Sequence, residues 1–166
     1  MTYLLIAFVL LVILSPLMWF RQSPRQNLMI NMRKEATRLG LIVSLSAPPD
    51  ARQGETRLDC VTYRLPWIPD SPRSQKPRME DWLLAKGVSR GSPSPWLRWQ
   101  WLSRESNDLI MDAIGLVLDG LPADIFGLEA RSDGLIIYWK EHGGLEDVIT
   151  VYKLLFLLRK NICSNA

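Results

Sequence analysis

The chain has one histidine, His142, and two cysteines, Cys60 and Cys163, in 166 residues. That scarcity excludes several kinds of chemistry. One imidazole with no sequence-near ligands and no nucleophile motif makes neither a zinc-type site nor a catalytic triad. Two distant cysteines form no disulfide framework or metal spacing, which agrees with a reducing compartment. Neither thiol has an activating neighbour, since Cys60 falls in a strand and Cys163 in the tail. A glycine-rich phosphate loop is also missing, because Gly115 and Gly120 lie within or at the end of a helical pattern rather than between strand and helix. The carboxylate pairs Glu80-Asp81 and Glu146-Asp147 read as solvated, the second at a helix start where the dipole favours acids. No internal repeat is present. No catalytic residue, metal or cofactor is expected from this inventory.

Charge is absent from residues 1–20, MTYLLIAFVLLVILSPLMWF. At about 1.5 Å per residue such a helix measures about 30 Å, the thickness of a bilayer's hydrocarbon core, so it is expected to be a transmembrane helix. A signal peptide would want a basic start and a small-x-small cleavage site, whereas Leu17-Met18-Trp19-Phe20-Arg21 follows here. Arg21, Arg25, Arg33, Lys34 and Arg38 against Glu35 leave four net positives just after it, in a chain whose net charge is +3. Basic flanks stay on the cytoplasmic side, so the expected topology is single-pass in an inner membrane, N-terminus periplasmic and C-terminal body cytoplasmic.

Residues 21–40 predict a basic juxtamembrane helix, capped by Ser23-Pro24 and stopped at Gly40, with Leu28, Met32, Ala36 and Leu39 along one side. Residues 41–166 predict a single α+β domain of two layers. Strands are expected at 41–46, 57–65, 79–86 and 97–101, with loops at 66–78 and 87–95 that the prolines and glycines keep irregular. A helix capped by Ser103 is expected to end near Gly120, followed by a hairpin over 125–140 that turns at Asp133-Gly134. A closing helix over 145–161 follows, more apolar than one buried side requires. The expected sheet is mostly antiparallel, with five or six strands and two to three helices packed on it.

From Arg73 to Arg104 seven basic residues interleave with Trp82, Trp96, Trp99 and Trp101, while 105–147 is acidic. Basic residues among aromatics suit contact with a lipid surface or a partner, and suit nucleic acid less well. Their plainer role is core filling. The candidate membrane-surface or partner contacts are therefore Arg21, Arg25, Arg33, Lys34, Arg38, Arg98, Trp99 and Trp101.

The opening, with an anchor, Pro16 and then Arg25, Arg33, Lys34 and Arg38, is similar to the YajC-type accessory subunit of the bacterial preprotein translocase over its first forty or so residues. The whole chain resembles a family of uncharacterised single-pass proteobacterial membrane proteins that sometimes share that label. The resemblance lies in Ser23 to Gln26 (SPRQ), Tyr63 to Trp67 (YRLPW), Leu121 to Asp124 (LPAD) and Tyr138 to Gly144 (YWKEHGG). It implies no activity. The expectation is a membrane-anchored, non-enzymatic interaction or scaffold protein, with the bilayer and a membrane complex such as the translocase as partners. The alternatives are a tethered enzyme with a site among the Trp/Arg segment and His142, and contact with nascent chain or RNA.

Overall fold

Ser23 and Pro24 open a helix for the reason their chemistry suggests. The computed structural model describes residues 3, 4, 6, 23–51, 58, 60–67 and 81–165. In it, helix α1 spans Pro24–Arg38; the Ser23 hydroxyl accepts from the Gln26 amide while the Gln26 side chain accepts from the Ser23 N–H. Two donors that would otherwise lack partners are thus satisfied reciprocally. Gly40, at φ +87°, turns the chain in a conformation an L side chain would strain to adopt. Leu41 then drops into the core ahead of strand β1, Ile42–Ser46.

The remaining elements are β2 (Cys60–Pro66), β3 (Trp82–Lys86), β4 (Ser92–Pro93), β5 (Trp99–Trp101), α2 (Asp108–Gly120), β6 (Ile125–Arg131), β7 (Gly134–Trp139) and α3 (Leu145–Asn165). All seven strands form one antiparallel sheet in the order β1-β2-β7-β6-β3-β5-β4. The β6–β7 hairpin comes late in the chain yet sits at the sheet's centre, inserted between β2 and β3. Alternation along the strands sorts side chains between two faces. Val61, Tyr63 and Leu65 of β2 and Leu135, Ile137 and Trp139 of β7 join Ile110, Ile114 and Val117 of α2, Val148, Val151, Leu155 and Leu158 of α3, and Met32 and Ala36 of α1. The opposite face carries a smaller cluster of Cys60, Ile136 and Tyr138, flanked by Leu83 and Phe126.

Two expectations are corrected. The predicted transmembrane helix, and with it the single-pass membrane description, is not upheld: among the described residues no helix is long and apolar enough to cross a membrane. The physical reasons are plain. Helix α1 carries Arg25, Arg33, Lys34, Glu35 and Arg38, α2 has only thirteen residues, and α3 holds Glu146, Asp147, Lys153, Arg159 and Lys160 along its length. Of the apolar run 1–20, only residues 3, 4 and 6 are described, and the rest of that prediction lies outside the described residues. Second, the sheet has seven strands among the described residues rather than five or six, because the 87–95 insertion contributes β4.

The helix predicted from Ser103 begins later, at Asp108 with Asn107 as its cap. Residues 103–107 are diverted: Arg104 bridges to Trp82 and the Ser106 hydroxyl reaches Met111 Sδ at 3.1 Å. Pro66 and Trp67, expected in the loop 66–78, respectively close β2 and insert into the core; residues 68–80 lie outside the described residues.

Candidate interaction surface

The sheet's two edges are built differently. At one, β4 is two residues long and includes Pro93, which has no N–H to offer. Shortness and proline are the devices by which natural sheets blunt an edge. At the other, β1 reads IVSLS, five residues without charge, proline or bulge. Ile42 is 44% exposed and Leu45 58%. Among the described residues no strand pairs with the outer side of β1.

The inner side of β1 is held firmly. All five residues pair with β2, from Ile42 opposite Arg64 to Ser46 opposite Cys60. The Ser44 and Thr62 hydroxyls meet at 2.9 Å, and Cys60 Sγ donates to the Ser46 carbonyl at 3.1 Å. Beyond the strand, Arg90 Nη2 donates to the carbonyls of Asp50 at 2.7 Å and Ala51 at 3.2 Å. The edge is therefore fixed in shape before anything adds to it, which lowers the ordering cost of binding.

A cleft of about 540 Å³ opens at the start of β1, among Leu39, Gly40, Ile42, Arg64, Tyr152 and Arg159. Both arginines are engaged, Arg64 with Asp133, and Arg159 with the Pro66 carbonyl at 2.9 Å and the Phe156 ring at 4.9 Å. Among the described residues no carboxylate, histidine or thiol lines this cleft. It can hold a side chain but offers no acid–base pair.

The residues predicted as contacts fall in separate places. Arg33 turns inward, Nε to Glu141 Oε1 at 2.9 Å and Nη2 to Oε2 at 2.5 Å, and the Tyr63 hydroxyl donates to the same Oε1 at 2.6 Å. Arg25 donates to the carbonyls of His142 and Gly143, so α1 is latched to the 141–143 turn at two points. Arg38 pairs with Glu35 on α1, and Lys34 is exposed. Arg21 lies outside the described residues. Trp101 is buried against Trp82 and Trp96, with ring centroids 6.0 and 5.9 Å away, and Trp99 is buried beneath Lys86. The Lys86 amine is held below the usual lysine range by burial and then by Arg98. Arg98 is exposed on a turn at φ +70°, beside exposed Leu97. The structure thus brings Arg25 and Arg33 together, and Trp99 and Trp101 together, but not the two groups. His142 is exposed; its backbone N–H donates to Asp124 Oδ2 at 2.7 Å and its carbonyl accepts from Arg25. Among the described residues no group of three or more His, Cys, Asp or Glu could hold a metal ion.

Sequence reasoning missed Glu141, which is buried at φ +55°. A charged residue between the strand YW and the pair Gly143-Gly144 reads as a solvated turn, and its partner Arg33 is 108 positions away. It missed Glu129 likewise, which on the opposite face accepts from Tyr138 at 2.6 Å and from Arg131 Nε at 2.6 Å. The signal for β1 was present in the run LIVSLS ahead of Pro48-Pro49, uncharged at every position.

Burial first, and then the neighbouring Glu141 or Glu129, push the Tyr63 and Tyr138 phenols well above their ordinary value near 10. A raised folded-state pKa contributes stability that is fully present below the unfolded value and lost as pH climbs past it. Unfolding free energy should therefore fall above about pH 10, with a slope approaching about 2.7 kcal/mol per pH unit for two resisting phenols. Urea titrations from pH 8 to 11 would measure it. The slope should shrink by about half in Tyr138→Phe, and a flat profile in the unsubstituted chain would contradict the assignment.

Compared with models of known families, with curated proteins and with solved structures, the chain matches none.

Proposed function

We propose that the chain is a non-catalytic interaction module that takes an extended segment of a partner protein as an added strand on β1. The contrast between the two sheet edges carries this reading: the molecule blunts β4 with brevity and proline and leaves β1 uncharged and, among the described residues, unpaired on its outer side. Strand addition supplies affinity through main-chain hydrogen bonds and specificity through alternate side chains. Ile42 and Leu45 fall on opposite faces of the sheet, so an added strand meets an apolar neighbour on each. The cleft beside Ile42 offers room for a side chain at one end of such a segment.

Selection of twelve-residue peptides from a random displayed library against the full chain would test it. The selected peptides should lose at least tenfold in affinity to Leu45→Lys, which places a charged gatekeeper on the edge. They should bind Leu97→Lys unchanged, since Leu97 is exposed elsewhere. Peptides indifferent to Leu45→Lys would overturn the reading.

A further inference from the structure

We propose that the segment added to β1 is β1 of a second copy of this chain, paired antiparallel about a twofold axis through Ser44. This rests on the reading above and names the partner. The register follows from what bounds the strand. Gly40, in the left-handed region, ends it on one side, and Pro48, without an N–H, on the other. The only antiparallel self-pairing that uses the whole stretch between them sets Ser44 opposite Ser44, Val43 opposite Leu45 and Ile42 opposite Ser46 of the second copy. Each face then matches itself. Exposed Leu45 gains Val43 as an apolar neighbour, and no like charges meet across the axis.

The flanks are opposite in charge. Arg38 precedes Gly40 and Asp50 follows Pro48-Pro49, so an antiparallel copy brings each Arg38 to the end where the other copy's Asp50 lies. Such a pairing joins two seven-stranded sheets into one. It adds about four to six main-chain hydrogen bonds, according to which residues face outward. The area it covers is small beside the roughly 1,600 Å² of a standard stable interface. The dimer should therefore dissociate on dilution.

Cross-linking reads the register directly. Across a twofold axis the two Ser44 Cα atoms stand about 4.5 or 5.5 Å apart in either hydrogen-bonding phase, both within disulfide reach. In the full chain carrying Cys163→Ser, kept in a mild non-ionic detergent, Ser44→Cys should oxidise to a species of twice the 19.0 kDa chain mass. Ile42→Cys should not, because two residues 42 would lie four positions apart, about 13 Å. Separately, Ser44→Lys and Ser44→Glu should each run as single copies in sedimentation, and their mixture should restore the doubled mass. Equal cross-linking at 42 and 44 would mean random association and overturn the proposal. So would single-copy mass for the unsubstituted chain at every concentration up to about 100 µM, the weak end of specific association. If the chain stays single while selected peptides still depend on Leu45, the second-copy assignment falls and the strand-addition reading stands. If the peptides also ignore Leu45, both fall.

Discussion

Replacing Glu141 by alanine is expected to destabilise the fold by about 2–3 kcal/mol, read as a lower urea midpoint with an unchanged slope. The side chain is 3% exposed and joins three elements: Arg33 of α1, Tyr63 of β2 and the turn after β7. Removing it strands a guanidinium and a buried phenol hydroxyl. The loss should fall short of the roughly 3–5 kcal/mol of a fully buried pair because the Arg33 side chain is 42% exposed and water can reach it. Backbone strain supplies a sharper signature. Glu141 sits at φ +55°, where a side chain costs about 1 kcal/mol that glycine avoids. Glu141→Gly should therefore destabilise less than Glu141→Ala by about that amount, the reverse of their order within a helix. If alanine and glycine cost the same, the backbone strain is not what separates them, and if neither costs more than about 0.5 kcal/mol, the latch contributes little to stability.

Trp101→Ala should produce the larger loss, about 3–5 kcal/mol. The indole is 1% exposed, pairs with Leu84 across β3 and meets Trp82 edge-on at an interplanar angle of 89°. Its second neighbour, Trp96, lies over Gly115 of α2, where an added Cβ would come within 2.8 Å of the indole nitrogen. The cavity left by Trp101 thus lies between sheet and helix, and neither can close it without moving the other. Trp101→Phe keeps an aromatic in place and should lose about half as much. A Trp101→Ala loss below about 1 kcal/mol, in thermal or urea unfolding, would mean these rings touch without supporting one another.

How much of this was legible in advance depends on the distance over which each residue acts. The α1 start was readable because Ser23, Pro24 and Gln26 lie within one turn. The hairpin was readable because Asp133 and Gly134 carry their turn preference locally, and α3 because Val148, Val151, Leu155 and Leu158 repeat at helical spacing. The strand order was not readable. No local rule places the late hairpin between β2 and β3, and that placement alone leaves β1 at an edge. The basic helix shows the same limit. Arg25 and Arg33 read as outward-facing charge because helical periodicity sees their own helix and not the 141–143 turn, which reaches them only after the sheet is assembled. The tryptophans of 82–101 were ambiguous for the opposite reason: alternation gave them one face, and only α2 packing on that face made it the interior.

Hydrogen exchange on β1 tests most directly whether this edge recruits an extended segment. With a selected peptide bound to the full chain, alternate amides between Ile42 and Ser46, those facing away from β2, should slow at least tenfold, while the amide of Ser92 on the blunted edge stays unchanged. Unchanged β1 amides, with protection gathering at residues 93–100 instead, would contradict it.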